Sequence, residues 1–209
     1  MRTKTLNAIY NMTFKTYPFT GIWQEVFGEP ETGGAWLIYG EEKQGKTWLA
    51  ILLANYLSQH ARVLYVSAEE GISKNFADTC KRAGISAKSK MAVSGYEPLL
   101  ELEARLNSRR PPQVVVLDNL TKYSEEMKYG KLLKLLHDYP DVLWLCLAHE
   151  EGGKPYTSTA KLCSRFAKII VRVQGLKGFV KGRCPGGEIM IDEEKAQLVW
   201  GTNNENSKS

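Results

Sequence analysis

Several things are scarce in this 209-residue chain, and each shortage narrows what it can be. It has four cysteines, Cys80, Cys146, Cys163 and Cys184, and no two stand at the spacing that metal fingers use. A zinc finger is therefore not expected. Cys146 lies within an apolar run, where a thiol behaves as a small hydrophobe, and cysteine usage points to a reducing, cytoplasmic compartment. No apolar run approaches the roughly 18 to 20 residues of a membrane-crossing helix, and "MRTKTLNAIYNMTFKTY" at the start lacks the apolar core of a secretion signal. Internal repeats and low-complexity linkers are absent, which excludes solenoids and tethered arrays. Charge of one sign does not dominate. The formal net charge of +5 permits an anionic partner without requiring one. What remains, 43% hydrophobic and 24% charged residues, is ordinary for a globular domain with a real core.

The most informative stretch is "LIYGEEKQGKTWLA", residues 37–50. Gly40, four residues, then Gly45-Lys46-Thr47 satisfies the phosphate-loop spacing. The context fits as well. Residues 36–39 read as a short buried strand, and Leu49, Leu52, Leu53 and Tyr56 form a helical stripe after the loop. The loop thus precedes a helix N-terminus, where unpaired N–H groups and the helix dipole favour an anion. Gly40 and Gly45 allow backbone angles that side chains obstruct. The nucleotide-binding set is Gly40, Glu41, Glu42, Lys43, Gln44, Gly45, Lys46, Thr47 and Trp48. Within it Lys46 is expected to face solvent and reach the β- and γ-phosphates, while the Thr47 hydroxyl holds Mg²⁺.

Residues 1–35 read as an irregular lead-in with one short helix near 23–27, residues 36–200 as a single domain, and 201–209 as a disordered tail. Strands are expected at 63–67, 91–94, 114–118, 141–148 and 168–173. Helices are expected at 73–84, from Pro98 onward (apolar face Leu99, Leu102, Leu106), and around Tyr129, Leu132, Leu133 and Leu136. Strands that are apolar throughout and alternate with helices predict an α/β fold, a mostly parallel sheet covered on both faces. "FVKGR", "EIMID" and "QLVW" read as short antiparallel strands at the C-terminal edge.

Further chemistry collects at predicted strand ends. "VVVLD" places Asp118 where ligands gather in open α/β sheets, as a metal-holding carboxylate or else a helix cap. Asn119 follows it, so the water-activating group is sought elsewhere, and "YVSAEEG" offers Glu69 and Glu70. His149, after "LWLCLA", is either a structural histidine or a donor to a γ-phosphate oxygen. Lys181 and Arg183, two apart in a strand, share one face. They are either ordinary surface charges or a cationic finger reaching a neighbouring subunit's nucleotide.

Together these residues resemble the RecA/DnaB/KaiC superfamily of P-loop ATPases over roughly residues 20–200. "GEEKQGKT" looks like its Walker A motif and "QVVVLDNL" its Walker B. "VLYVSAEEG" is similar to the strand ending in the catalytic glutamate, with Glu69 aligning best. "LWLCLAH" looks like the sensor strand, and "VKGRCPGG" is similar to the Lys-x-Arg finger of hexameric helicases. The resemblance implies a RecA-like core, Mg²⁺-dependent ATP hydrolysis, catalytic roles for Lys46, Glu69 or Glu70 and His149, and metal-holding roles for Thr47 and Asp118. It also implies Lys181 and Arg183 acting in trans within a homo-oligomeric ring or filament. The strand carrying His149 should lie between the two Walker strands. The shortness of the chain resembles stand-alone recombination and annealing ATPases of phages and prophages, which makes single-stranded DNA the candidate partner. Departures are the absence of a helicase-type N-terminal helical domain and the acidic "EEGGKPYTST" where a DNA-binding loop would fall.

Overall fold

The structure, a computed structural model, describes residues 3–128 and 130–192. Its frame is a nine-stranded sheet. Strands β1 (Gly34–Gly40), β2 (Val63–Ser67), β3 (Met91–Ser94), β4 (Val114–Asp118), β5 (Leu143–Glu151) and β7 (Ile169–Gln174) run parallel, in the order β3-β2-β4-β5-β1-β7. Strands β8 (Lys177–Gly182) and β9 (Gly187–Met190) add antiparallel at the β7 edge, and β6 (Lys154–Pro155) pairs with the end of β5. As expected, β5 lies between β1 and β4.

Alternation along each strand sorts its side chains to two faces. Trp36 and Ile38 of β1 join one core, with Val114, Val116, Leu145 and Val171, beneath helices α2 (Gly21–Phe27), α3 (Lys46–Leu57) and α4 (Lys74–Arg82). Ala35, Leu37 and Tyr39 join the other, with Val115, Leu117, Trp144 and Cys146. Helices α5 (Leu99–Leu106), α6 (Lys131–Asp138) and α7 (Ser158–Phe166) and the 3₁₀ turn Leu120–Tyr123 cover this second face. The central strands therefore read as unbroken apolar runs because both faces are dry.

Several sequence expectations need adjusting. Helix α3 buries Leu49, Ala50, Ile51, Leu53, Ala54 and Leu57, whereas Leu52 and Tyr56 are only half-buried. It is wrapped almost all round, so the narrow stripe read from the sequence was too strict. In α6 Leu135, not Leu133, joins Leu132 in the core. Helix α7 was not anticipated. Its N-cap, Thr157, accepts from the Ala160 N–H at 3.2 Å, a local signal that sat unread in "YTST". In the lead-in, a short helix α1 (Leu6–Tyr10) precedes α2, and Tyr17, Phe19, Val26 and Phe27 are buried in the first core. Tyr129, the strand expected in "QLVW" and the tail at 201–209 lie outside the described residues. Among the described residues, no helix is long and apolar enough to cross a membrane.

Candidate functional site

The C-terminal ends of β1, β2, β4 and β5 open on one cleft of about 420 Å³. Glu42, Lys43, Gly45, Lys46, Thr47 and Trp48 line it from the loop, facing Glu69, Glu70, Asp118 and His149. The turn from strand to helix is tight. A side chain at Gly40 would place its Cβ 2.2 Å from the Val173 carbonyl oxygen. Gly45, the α3 N-cap, has φ +99°, which only glycine adopts easily.

Not every loop residue faces the cleft. Gln44 turns away, and its Oε1 accepts from the Gly175 N–H at 2.6 Å, pinning the loop to the β7–β8 turn. Glu41 contributes its carbonyl, which accepts from Lys46 Nζ at 2.6 Å. Lys46 is accordingly buried, 8% exposed, and not solvent-facing as expected from the sequence. The ammonium has folded back onto its own loop because a buried cation must find an acceptor. Burial draws its pKa below the usual lysine value, while Glu69 and Asp118 pull the other way. Trp48 leaves the loop differently: its indole N–H donates to the Ile191 carbonyl at 3.1 Å, and Arg82 stacks 5.3 Å from the ring centroid.

Asp118 sits at the floor, 6% exposed. Tyr65 donates to its Oδ2 at 2.8 Å, and the Thr47 hydroxyl hydrogen-bonds to it as well. Burial lifts its pKa to about 6, and those two hydrogen bonds oppose the rise. Hydroxyl and carboxylate side by side fit a hard divalent cation such as Mg²⁺. Among the described residues no trio of His, Cys, Asp or Glu could hold a metal unaided. Such an ion would therefore draw its remaining ligands from phosphates and water.

Register brings the other groups together. Ser67 pairs with Asp118 and Gly40 with His149, so β2, β4, β1 and β5 end nearly level. The Glu69 N–H donates to the Asp118 carbonyl at 3.0 Å. Asn119, which follows a cis peptide bond, hydrogen-bonds through Nδ2 to Glu69 Oε2 and lies 2.8 Å from His149 Nε2. His149 Nε2 is 3.6 Å from Glu69 Oε2. Glu70 lies farther out, its carboxylate accepting from Asn75 at 3.4 Å. Strand β5 does not stop at His149 but runs on to Glu151, held by β6.

Three contributors escaped the sequence reading: Tyr65, Asn119 and the pair Glu150–Arg172. Arg172 grips Glu150 through Nη2 and Nε, at 2.6 and 2.9 Å, and the Glu150 side chain is 2% exposed. Since β1 lies between β5 and β7, this pair bridges over the root of the phosphate loop. Asn119 carried a signal, its place directly after the strand-end Asp118. The ion pair carried none before the strand order was known.

Lys181 and Arg183 are not in the cleft. Lys181 pairs with Ile170, and the Arg183 N–H donates to the Lys168 carbonyl, both at the start of β7. The phosphate loop adjoins the other end of β7, near Val173. Arg183 comes near Glu31, which Lys168 contacts at 2.9 Å.

No model of a known protein family matches the sequence, and no curated protein does. Solved structures do match in shape. The flagellar accessory protein FlaH from Methanocaldococcus jannaschii superposes with a TM-score of 0.61 at 17% identity, covering 85% of this chain and 92% of that one. The KaiC-like protein PH0186 from Pyrococcus horikoshii OT3 gives 0.56 at 16% identity, covering 81% and 88%. The ATPase domain of G40P gives 0.53 at 15% identity, covering 75% and 80%. This chain thus shares the RecA-like α/β fold of these structures.

Proposed function

We propose that this chain binds ATP with Mg²⁺ at the strand-end cleft, hydrolyses it, and uses the cycle in DNA recombination, repair or replication as a homo-oligomer in the cytoplasm. The observation that carries the proposal is the meeting of Lys46, Thr47, Asp118, Glu69 and His149 around one cleft, although they come from four separate segments. The loop N–H groups and Lys46 take the β- and γ-phosphates. A bound phosphate offers Lys46 a stronger acceptor than the Glu41 carbonyl it now holds. Thr47 and Asp118 hold Mg²⁺, which neutralises phosphate charge when bound. Glu69 orients the attacking water, and His149 faces the γ-phosphate. Glu69 is favoured over Glu70 because Asn119 and His149 address it, while Glu70 is turned to Asn75.

Two features support an anionic partner. Of the two acids in "EEGGKPYTST", Glu150 is consumed by Arg172, so the stretch is less acidic at the surface than its sequence suggests. Beside it, a groove lined by Met127, Lys128, Lys161, Leu162 and Arg165 presents cations over apolar side chains. A second reading, a nucleotide-gated switch or adaptor without DNA contact, is favoured by the lack of an aromatic stripe among the described residues that line that groove. Single-stranded DNA binding separates the two. The first reading predicts ATP-dependent binding whose affinity falls steeply as salt is raised, because phosphate contacts release counterions. Binding that is absent at low salt with ATP present would leave the switch.

A further inference from the structure

Asn119 is 2% exposed and sits where three strand ends converge. Its side-chain orientation is determined by its neighbours. The Thr121 N–H donates to Asn119 Oδ1 at 2.8 Å. If the amide were reversed, its nitrogen would meet that N–H, donor against donor, and its oxygen would meet the Glu69 carboxylate, acceptor against acceptor. The NH₂ group therefore faces Glu69 and His149, and it has two hydrogens, one for each.

This arrangement decides the state of the imidazole. An amide nitrogen only donates, so His149 Nε2, 2.8 Å away, accepts. A neutral ring that accepts at Nε2 carries its proton on Nδ1. That tautomer is the less favoured one for a free imidazole in water. Here the Nδ1 atom is buried without any hydrogen-bond partner among the described residues, so nothing on that side selects it. Glu69 Oε2, 3.6 Å from Nε2, favours a proton on that nitrogen instead, so the selection of Nδ1–H rests on Asn119, which stands closer.

We propose that Asn119 is a positioning residue that ties Glu69 to His149 in the nucleotide-free protein and locks His149 in the Nδ1–H form. While the lock holds, Nε2 has no hydrogen to give a phosphoryl oxygen. His149 donates from Nε2 only after Asn119 releases the ring and a proton from solvent is placed there in exchange for the Nδ1 proton, which returns to solvent, so the ring stays neutral. Glu69 loses its amide donor in the same event, so the group that orients water and the group that faces the phosphate change together. The significance of the coupling rests on the ATPase proposal above, but the tautomer itself does not.

Two-bond ¹H–¹⁵N correlation spectra of the nucleotide-free, ¹⁵N-labelled protein test this directly. The chain has three histidines, His60, His137 and His149, and His149→Gln identifies the signal of interest. The wild-type ring should show a protonated-type shift at Nδ1 and an unprotonated-type shift at Nε2. Asn119→Asp keeps the oxygen that faces Thr121 but has no hydrogens to give, so the proton should move to Nε2. A wild-type ring protonated at Nε2 would overturn the proposal, as would an Nδ1–H pattern that survives unchanged in folded Asn119→Asp. Should the variant not fold, the wild-type spectrum alone decides. Failure here would leave ATP hydrolysis untouched, and an inactive protein would not alter these spectra.

Discussion

The strand-end cleft and the β8–β9 hairpin both carry charged residues that the sequence singled out, and they differ in what those residues meet. In the cleft each group has a partner: Lys46 the Glu41 carbonyl of its own loop, and, from other segments, Asp118 the hydroxyls of Tyr65 and Thr47 and Glu69 the Asn119 amide. At the hairpin, Lys181 and Arg183 are exposed and stand at the end of β7 away from the phosphate loop. A site assembled within one chain needs only that chain to fold. Cations at the far end of the sheet can serve phosphate chemistry only on another chain. The contrast predicts that changes in the cleft act on every molecule, whereas changes at the hairpin act only through assembly.

The largest effect within this contrast is expected at Glu69. Glu69→Gln should retain ATP binding and lower turnover by about 10²-fold or more, the usual scale of general acid–base help. Glu70→Gln should do much less, and single-turnover phosphate release with both variants checks the ranking. Equal activity in the two would remove Glu69 from its role.

A smaller effect follows from the buried floor. With its pKa raised to about 6 from the ordinary aspartate value of 3.8, Asp118 holds its proton more tightly folded than unfolded. Its contribution to the stability of the nucleotide-free protein is therefore full below 3.8 and lost as pH rises through about 6. Mg²⁺ requires the carboxylate, so the sign reverses for the metal. Mg²⁺ affinity should hold above pH 6 and fall by up to about tenfold per pH unit below it. Magnesium titrations of ATP binding across pH 5 to 8 would show it, and a flat profile would place the metal elsewhere.

The smallest expected signal is at the hairpin, since only some interfaces contribute. Turnover per chain should rise with protein concentration. A mixture of Lys46→Ala and Arg183→Ala proteins should regain part of the lost activity, because some interfaces then join an intact loop to an intact finger. Concentration-independent turnover together with an inactive mixture would return Lys181 and Arg183 to ordinary surface charge.

Features written in a continuous stretch of chain were legible in the sequence. The loop from Gly40 to Thr47 between a strand and a helix, the strand ending in Asp118, the glutamate pair and the strand carrying His149 each announce themselves within ten residues or so, through spacing and apolar runs. Strand order was legible only through the family resemblance, and it held. What escaped depends on segments that meet only after folding. Asn119 matters because three strands end level around it, and Arg172 finds Glu150 only because β5 and β7 flank the same strand. The position of Lys46 differs from the expectation for a related reason. A long side chain in a curled loop reaches its own carbonyl, and no periodicity encodes that.

Phosphate release from ATP and Mg²⁺, followed for wild type and Lys46→Ala under identical conditions, bears most directly on whether the cleft is an ATPase site. Steady release by the wild type is predicted, with release at background in the variant while its circular dichroism spectrum stays unchanged. Near-normal release by Lys46→Ala, or none by the wild type at saturating ATP, would contradict it.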